Sequence, residues 1–189
     1  MSPYEAWPFL SDTSHPLLSA VWAVFIHGVI GLIVVGPLIW HSRHRITYGL
    51  IAFAGGSALD FDHVIAAGTL NPHALETLPG GRPATHSLLF VLALALLTLA
   101  AWPPLARVLR GSRAQRSRWV APWSVFAVNC AHVLFDAAGG RERILYPSTA
   151  IHGIPWLLCP IGVLLLMAGS FAVDGWTAAG RPLERAPAA

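Results

Sequence analysis

Acids and imidazoles, nine of each in the chain, collect at a few places. The run ALDFDH holds Asp60, Asp62 and His63 with apolar residues on both sides. CAHVLFDAAGG places His132 and Asp136 four apart, one above the other on a helix face, a spacing suited to sharing one cation. RPATHSLLF carries His86 beside Thr85 and Ser87, either of which can cap a helix, and AVFIHGVIGLIVVG carries His27. On an uninterrupted helix Asp60 and His63 share a face, while Asp62 points about 200° from Asp60. One face then offers a carboxylate and an imidazole to one ion, and Asp62 serves a second ion or orients a ligand.

Each feature alone has an ordinary explanation. His132 and Asp136 can be a helix-stabilising pair, His27 can bond a neighbouring helix, and His86 can be an interfacial histidine. Their surroundings change the balance. Of 189 residues 55% are apolar and only 11% charged, against about 25% in soluble domains, and mean hydropathy is +0.59. That is a membrane composition, which excludes a disordered chain, and two cysteines exclude a disulfide scaffold. A carboxylate at the centre of a bilayer-spanning helix costs about 2.5–3.5 kcal/mol, so acids in such segments call for a reason.

The positioning elements follow from hydropathy. Five stretches approach the roughly 20 residues that cross a hydrocarbon core: 17–40, 48–70, 85–102, 119–138 and 154–173. The expected fold is an all-α polytopic membrane protein, one integral-membrane domain over residues 1–189. HSRHR at 41–45, the Pro/Gly-rich 71–83, the arginine-rich 103–118 and GGRERILYPS at 139–148 separate the spans. Residues 1–16 lack the basic region of a signal peptide, and Trp7 and Phe9 suit a membrane surface.

All twelve basic residues are arginine. Five spans put Arg82, Arg141 and Arg143 on one side of the membrane. The other side takes Arg43, Arg45, Arg107, Arg110, Arg113, Arg116, Arg118, Arg181 and Arg185. The positive-inside rule then predicts the N-terminus outside and the C-terminus in the cytoplasm of a bacterial inner membrane. This orientation, derived without the acids and histidines, gathers Asp60, Asp62, His63, His86, His132, Asp136 and His27 at the extracytoplasmic end. Three carboxylates so close cannot all remain ionised by themselves, because like charge and desolvation oppose it. Divalent cations resolve the conflict. A mixed imidazole and carboxylate set favours zinc first, then manganese or iron, over calcium or magnesium.

ALDFDH, then RPATHSLLF, then AHVLFD with a downstream Gly and Pro together resemble the bacterial membrane-bound metal-dependent hydrolase family of YdjM type, over about His27 to Pro147. That family's pattern is an early histidine, P-D-x-D-H, H-R-G-x-T-H-S and H-x-x-x-D. The resemblance implies a multinuclear site distantly like that of zinc phospholipase C, with Asp60, Asp62, His63, His86, His132 and Asp136 in it and His27, or failing that His15, as first histidine. Two positions depart from it. Leu59 stands in place of the proline, and Gly81 in place of the first histidine of the second motif, for which His73 or His152 could substitute.

The expected activity is metal-dependent hydrolysis, first of a phosphoester in a lipid or lipid-linked substrate, with Asp62 as base and Arg82 as a substrate contact. Rivals are a metal-dependent amidase or protease, although no H-E-x-x-H occurs, a cation or proton transporter, and a structural subunit. Membrane lipids are the expected partners and nucleic acid is not, the arginines of 107–118 being placed for anionic headgroups. Cys130 and Cys159 read as small apolar residues, Asn129 as an interhelical hydrogen bonder, and Gly28, Gly31 and Gly36 as close-packing positions.

Overall fold

The computed structural model describes residues 16–42, 44–71, 83–108, 113–138 and 154–179. Every element among them is a helix: α1 (Pro16–Trp40), α2 (Arg45–Ala58), α3 (Phe61–Ala67), α4 (Leu88–Val108), α5 (Arg113–Ala138) and α6 (Leu158–Ala179). Four helical stretches are long and apolar enough to cross a membrane, namely Ala20–Trp40, Arg45–Ala67 taken across its break, Trp119–Ala138 and Leu158–Thr177. The apolar helix Leu88–Trp102 is shorter. Ile46, Leu50, Leu97, Leu164 and Leu165 are each more than half exposed, a surface made for hydrocarbon rather than water. The chain is an all-α polytopic membrane protein.

The second and fourth spans start earlier than hydropathy suggests, at Arg45 and Arg113, and two helices start later. α4 begins at Leu88 rather than 85, because Ser87 caps it by accepting a hydrogen bond from the Phe90 N–H at 3.3 Å. Thr85 is thereby free for another task. α6 begins at Leu158 rather than 154; Ile154 instead donates its N–H to the Ala137 carbonyl and ties the approach of α6 to the end of α5.

α1 and α6 run in one direction, with Ser170 Oγ donating to the Val34 carbonyl at 2.6 Å and His41 beside Asp174. α2 and α5 run the other way, and Tyr48 meets Ser124 between them. The core where they join is Val34, Val35, Leu38, Val91, Ala127, Ala131, Val133 and Leu166. α1 crosses α2 closely enough that a Cβ on Gly56 would lie 2.5 Å from the His27 carbonyl oxygen, and one on Gly31 would lie 3.0 Å from the Ala52 oxygen. Gly36, expected to share this role, has nothing within 4 Å of its Cβ position. Asn129, expected to bond across helices, donates to Val125 on its own helix at 2.7 Å.

The second span is broken where it enters the acidic run. The Asp60 N–H bonds the Ser57 carbonyl three residues back, and that of Asp62 bonds Leu59, so the chain tightens into a turn between α2 and α3. α3 then stops at Gly68, whose φ of 62° is the left-handed conformation that glycine adopts without strain. At the opposite end Trp40, Trp102, Trp119 and Trp176 lie near the helix termini, where amphipathic rings meet a headgroup layer.

Candidate metal centre

The break at Leu59 and Asp60 redistributes the acidic run. Two groups of ligand atoms result, each with its atoms within 4.8 Å of one another: His27, Asp60, His132 and Asp136 in one, and Asp62, His63 and His86 in the other. The uninterrupted-helix expectation paired Asp60 with His63. The turn instead sends Asp60 toward α1 and α5, and leaves His63 with Asp62 in the first turn of α3. The two groups are neighbours. His86 Nε2 lies 3.2 Å from His132 Nε2, 3.5 Å from Asp136 Oδ2 and 4.0 Å from Asp60 Oδ1.

Each of three histidines faces an oxygen acceptor through Nδ1. His132 Nδ1 donates to the Gly56 carbonyl at 2.6 Å, His27 Nδ1 to Asp60 Oδ2 at 3.0 Å, and His86 Nδ1 to Asp62 Oδ2 at 3.0 Å. A carbonyl or carboxylate oxygen accepts, so each Nδ1 is the donor and each ring turns its Nε2 into the site. The three Nε2 atoms converge on Asp136. His27 Nε2 lies 3.2 Å from Asp136 Oδ1, His132 Nε2 3.2 Å from Oδ2 and His86 Nε2 3.5 Å from Oδ2. The rings are crowded, with centroids of His27 and His132 3.8 Å apart and their planes tilted by 37°.

The arrangement fits a metal ion in its donor chemistry. Imidazole Nε2 held by an Nδ1–H bond to carboxylate or carbonyl is the recurring second-sphere pattern of protein metal ligands. The group of His27, Asp60, His132 and Asp136 could therefore hold a metal ion.

Burial grades across the site. The side chains of His27, His86, His132 and Asp136 are at most 1% exposed, while Asp60 and Asp62 are 15% and His63 14% exposed. The site therefore opens on the α3 side. There Asp62 is gripped through Oδ2 by both His86 and the Thr85 hydroxyl, and its Oδ1 accepts no hydrogen bond among the described residues.

All seven histidines and aspartates expected from sequence stand in this region. Arg82, Gly81, His15, His73 and His152 lie outside the described residues. Sequence reasoning missed the Gly56 carbonyl and the grip of Thr85 on Asp62. A pair of residues without side chains, Gly55 and Gly56, just ahead of the acidic run was the available signal for the first. Cys130 and Cys159 are buried free thiols, as their apolar surroundings suggested. No family model matches the chain, and neither a curated protein nor a solved structure does.

Proposed function

We propose that the protein is a membrane-embedded, metal-dependent hydrolase acting on a phosphoester of a lipid or lipid-linked substrate. The observation that carries the reading is the convergence of three histidine Nε2 atoms on Asp136, each ring held from behind through Nδ1. Asp60, His27, His86, His132 and Asp136 would hold the cation, zinc first by donor type. When bound, such an ion supplies Lewis acidity toward a phosphoryl oxygen and makes water more acidic.

The residues on the open side do the remaining work. Thr85 and His86 fix the Asp62 carboxylate through Oδ2, and the buried Oδ1, which accepts no hydrogen bond among the described residues, is the oxygen that would take a proton from a water admitted to the site. His63, 3.8 Å from that oxygen, is placed to pass a proton toward the mouth or to complete a second ion site. The resemblance to the YdjM-type family supports hydrolysis, and a mouth beside the exposed Phe61 and Ile65 supports a lipid-borne substrate. The bacterial inner membrane, with the N-terminus outside, follows from the arginine split. Reporter fusions at Gly111 and Gly80 test that orientation. A transporter reading finds less support, because Val34, Val35, Leu38 and Leu166 pack the interior beyond the site.

The decisive experiment is Asp62→Asn, assayed for metal content and for hydrolysis of bis(p-nitrophenyl) phosphate and of phosphatidic acid in mixed micelles. As a lost base it lowers turnover by about 10² to 10⁴ with metal retained. Loss of metal together with activity would make Asp62 a ligand. Full activity would remove it from the chemistry.

A further inference from the structure

α1 and α2 meet with little side chain between them. A Cβ on Gly56 would lie 2.5 Å from the His27 carbonyl oxygen, and one on Gly28 would lie 2.6 Å from the Phe53 ring. Small residues of this kind set the distance between two helices and do little to set their register. Register matters at this contact, because the candidate metal centre draws on both partners. Gly56 of α2 orients His132 through its carbonyl, and Asp60, in the turn after α2, faces His27 of α1.

Between these two anchors stands Ser57, only 5% exposed. Its hydroxyl donates to the Val24 carbonyl of α1 at 2.7 Å. The Phe53 carbonyl of its own helix is farther away, at 3.3 Å, and a hydroxyl has one proton to give. Among the described residues this is the hydrogen bond that joins α1 to α2. Val24 is one turn ahead of His27, and the Ser57 carbonyl accepts the Asp60 N–H at 3.3 Å, which begins the turn. Ser57 is thus bonded to the helix that carries His27, to the turn that delivers Asp60, and by its own peptide to the carbonyl that orients His132.

Ser170 makes the same kind of bond elsewhere. Its hydroxyl, wholly buried, donates to the Val34 carbonyl at 2.6 Å and joins α6 to α1. Val34 is about 15 Å along α1 from Val24, at 1.5 Å per residue, and neither Ser170 nor Val34 belongs to a ligand group.

We propose, on the metal-binding part of the function argued above and not on its hydrolytic part, that Ser57 is a positioning residue of the metal centre. Its hydroxyl fixes the register of α2 on α1. The Gly56 carbonyl is thereby held behind His132 and the Asp60 carboxylate behind His27, so that one bond outside the ligand groups sets the direction of two imidazoles.

Ser57→Ala and Ser170→Ala, compared with wild type as full chains in detergent, test it. The readouts are zinc affinity by competition with a chelator, the visible absorption of the cobalt-loaded protein, and Tm. Each variant loses one buried interhelical hydroxyl, and both should unfold at somewhat lower temperature. Ser57→Ala alone should bind zinc about 10-fold more weakly, the lower end of the range for removing an outer-shell partner, and should shift the cobalt ligand-field bands. Ser170→Ala should keep the wild-type affinity and spectrum. Wild-type zinc affinity and cobalt bands in Ser57→Ala would overturn the proposal. Equal losses of affinity in the two variants would do the same, since they would report general stability rather than ligand placement. A wild-type chain that takes up neither zinc nor cobalt would remove the metal centre itself and Ser57's role with it, a result distinct from any difference between the variants.

Discussion

His41 and Asp174, at the arginine-rich end, form a pair at 2.8 Å with side chains 52% and 20% exposed. At the other end the same two residue types meet at similar distances with side chains almost wholly excluded from solvent. In the first pair one imidazole faces one carboxylate, and water can serve every remaining valence. In the second, three imidazoles and two carboxylates share one small volume, and each ring is held from behind through Nδ1. Residue type is therefore a poor guide to a metal centre. Direction of the Nε2 atoms and exclusion of water separate an ordinary ion pair from a candidate ligand set.

Removing the shared carboxylate is the harshest way to break this contrast. Asp136→Ala is expected to cost about 3–5 kcal/mol, the range for stripping one partner from a buried polar network, and to remove bound metal. Asp174→Ala at the exposed pair should cost no more than about 1 kcal/mol and leave metal content unchanged. Thermal unfolding in detergent with metal analysis checks both, and equal losses at the two ends would erase the distinction. Gly56→Ala should come next in size. Its Cβ would meet the His27 carbonyl at 2.5 Å, so α1 and α2 must part and shift the oxygen that orients His132. A loss of about 10- to 100-fold in metal affinity is expected, by competition with a chelator. The smallest effect is expected of Gly36→Ala. Nothing lies within 4 Å of that Cβ position, so the substitution should stabilise α1 by about 0.5–1 kcal/mol and leave metal affinity unaltered.

Much of the architecture was legible in advance because hydrocarbon imposes a simple rule: a spanning helix must be long and apolar. Ala20–Trp40 and Leu158–Thr177 obey it plainly. The site residues were legible for the converse reason, since Asp60, Asp62 and Asp136 stand out among apolar neighbours. Their grouping was not. Whether Asp60 faces His63 or His27 depends on a turn in which the Asp60 N–H chooses Ser57 over Gly56, and a difference of one hydrogen bond leaves little mark on composition. Backbone atoms were hidden altogether, as every residue has a carbonyl and only packing made that of Gly56 the anchor of His132. Likewise three glycines on α1 looked equivalent, and only the path of α2 set Gly28 and Gly31 apart from Gly36.

The locks behind the three histidines also bear on how the protein matures. Gly56 belongs to α2, Asp60 to the turn after it, Asp62 to α3, while the rings they hold come from α5, α1 and the approach to α4. No ring is locked by its own helix. A nascent chain with its early helices inserted but α5 still to dock has only part of the pattern, so high-affinity capture of an ion belongs to the completed bundle. An ion held there at 100 times its dissociation constant would favour the docked state by about 2.7 kcal/mol, and its supply would then act as a late checkpoint on assembly.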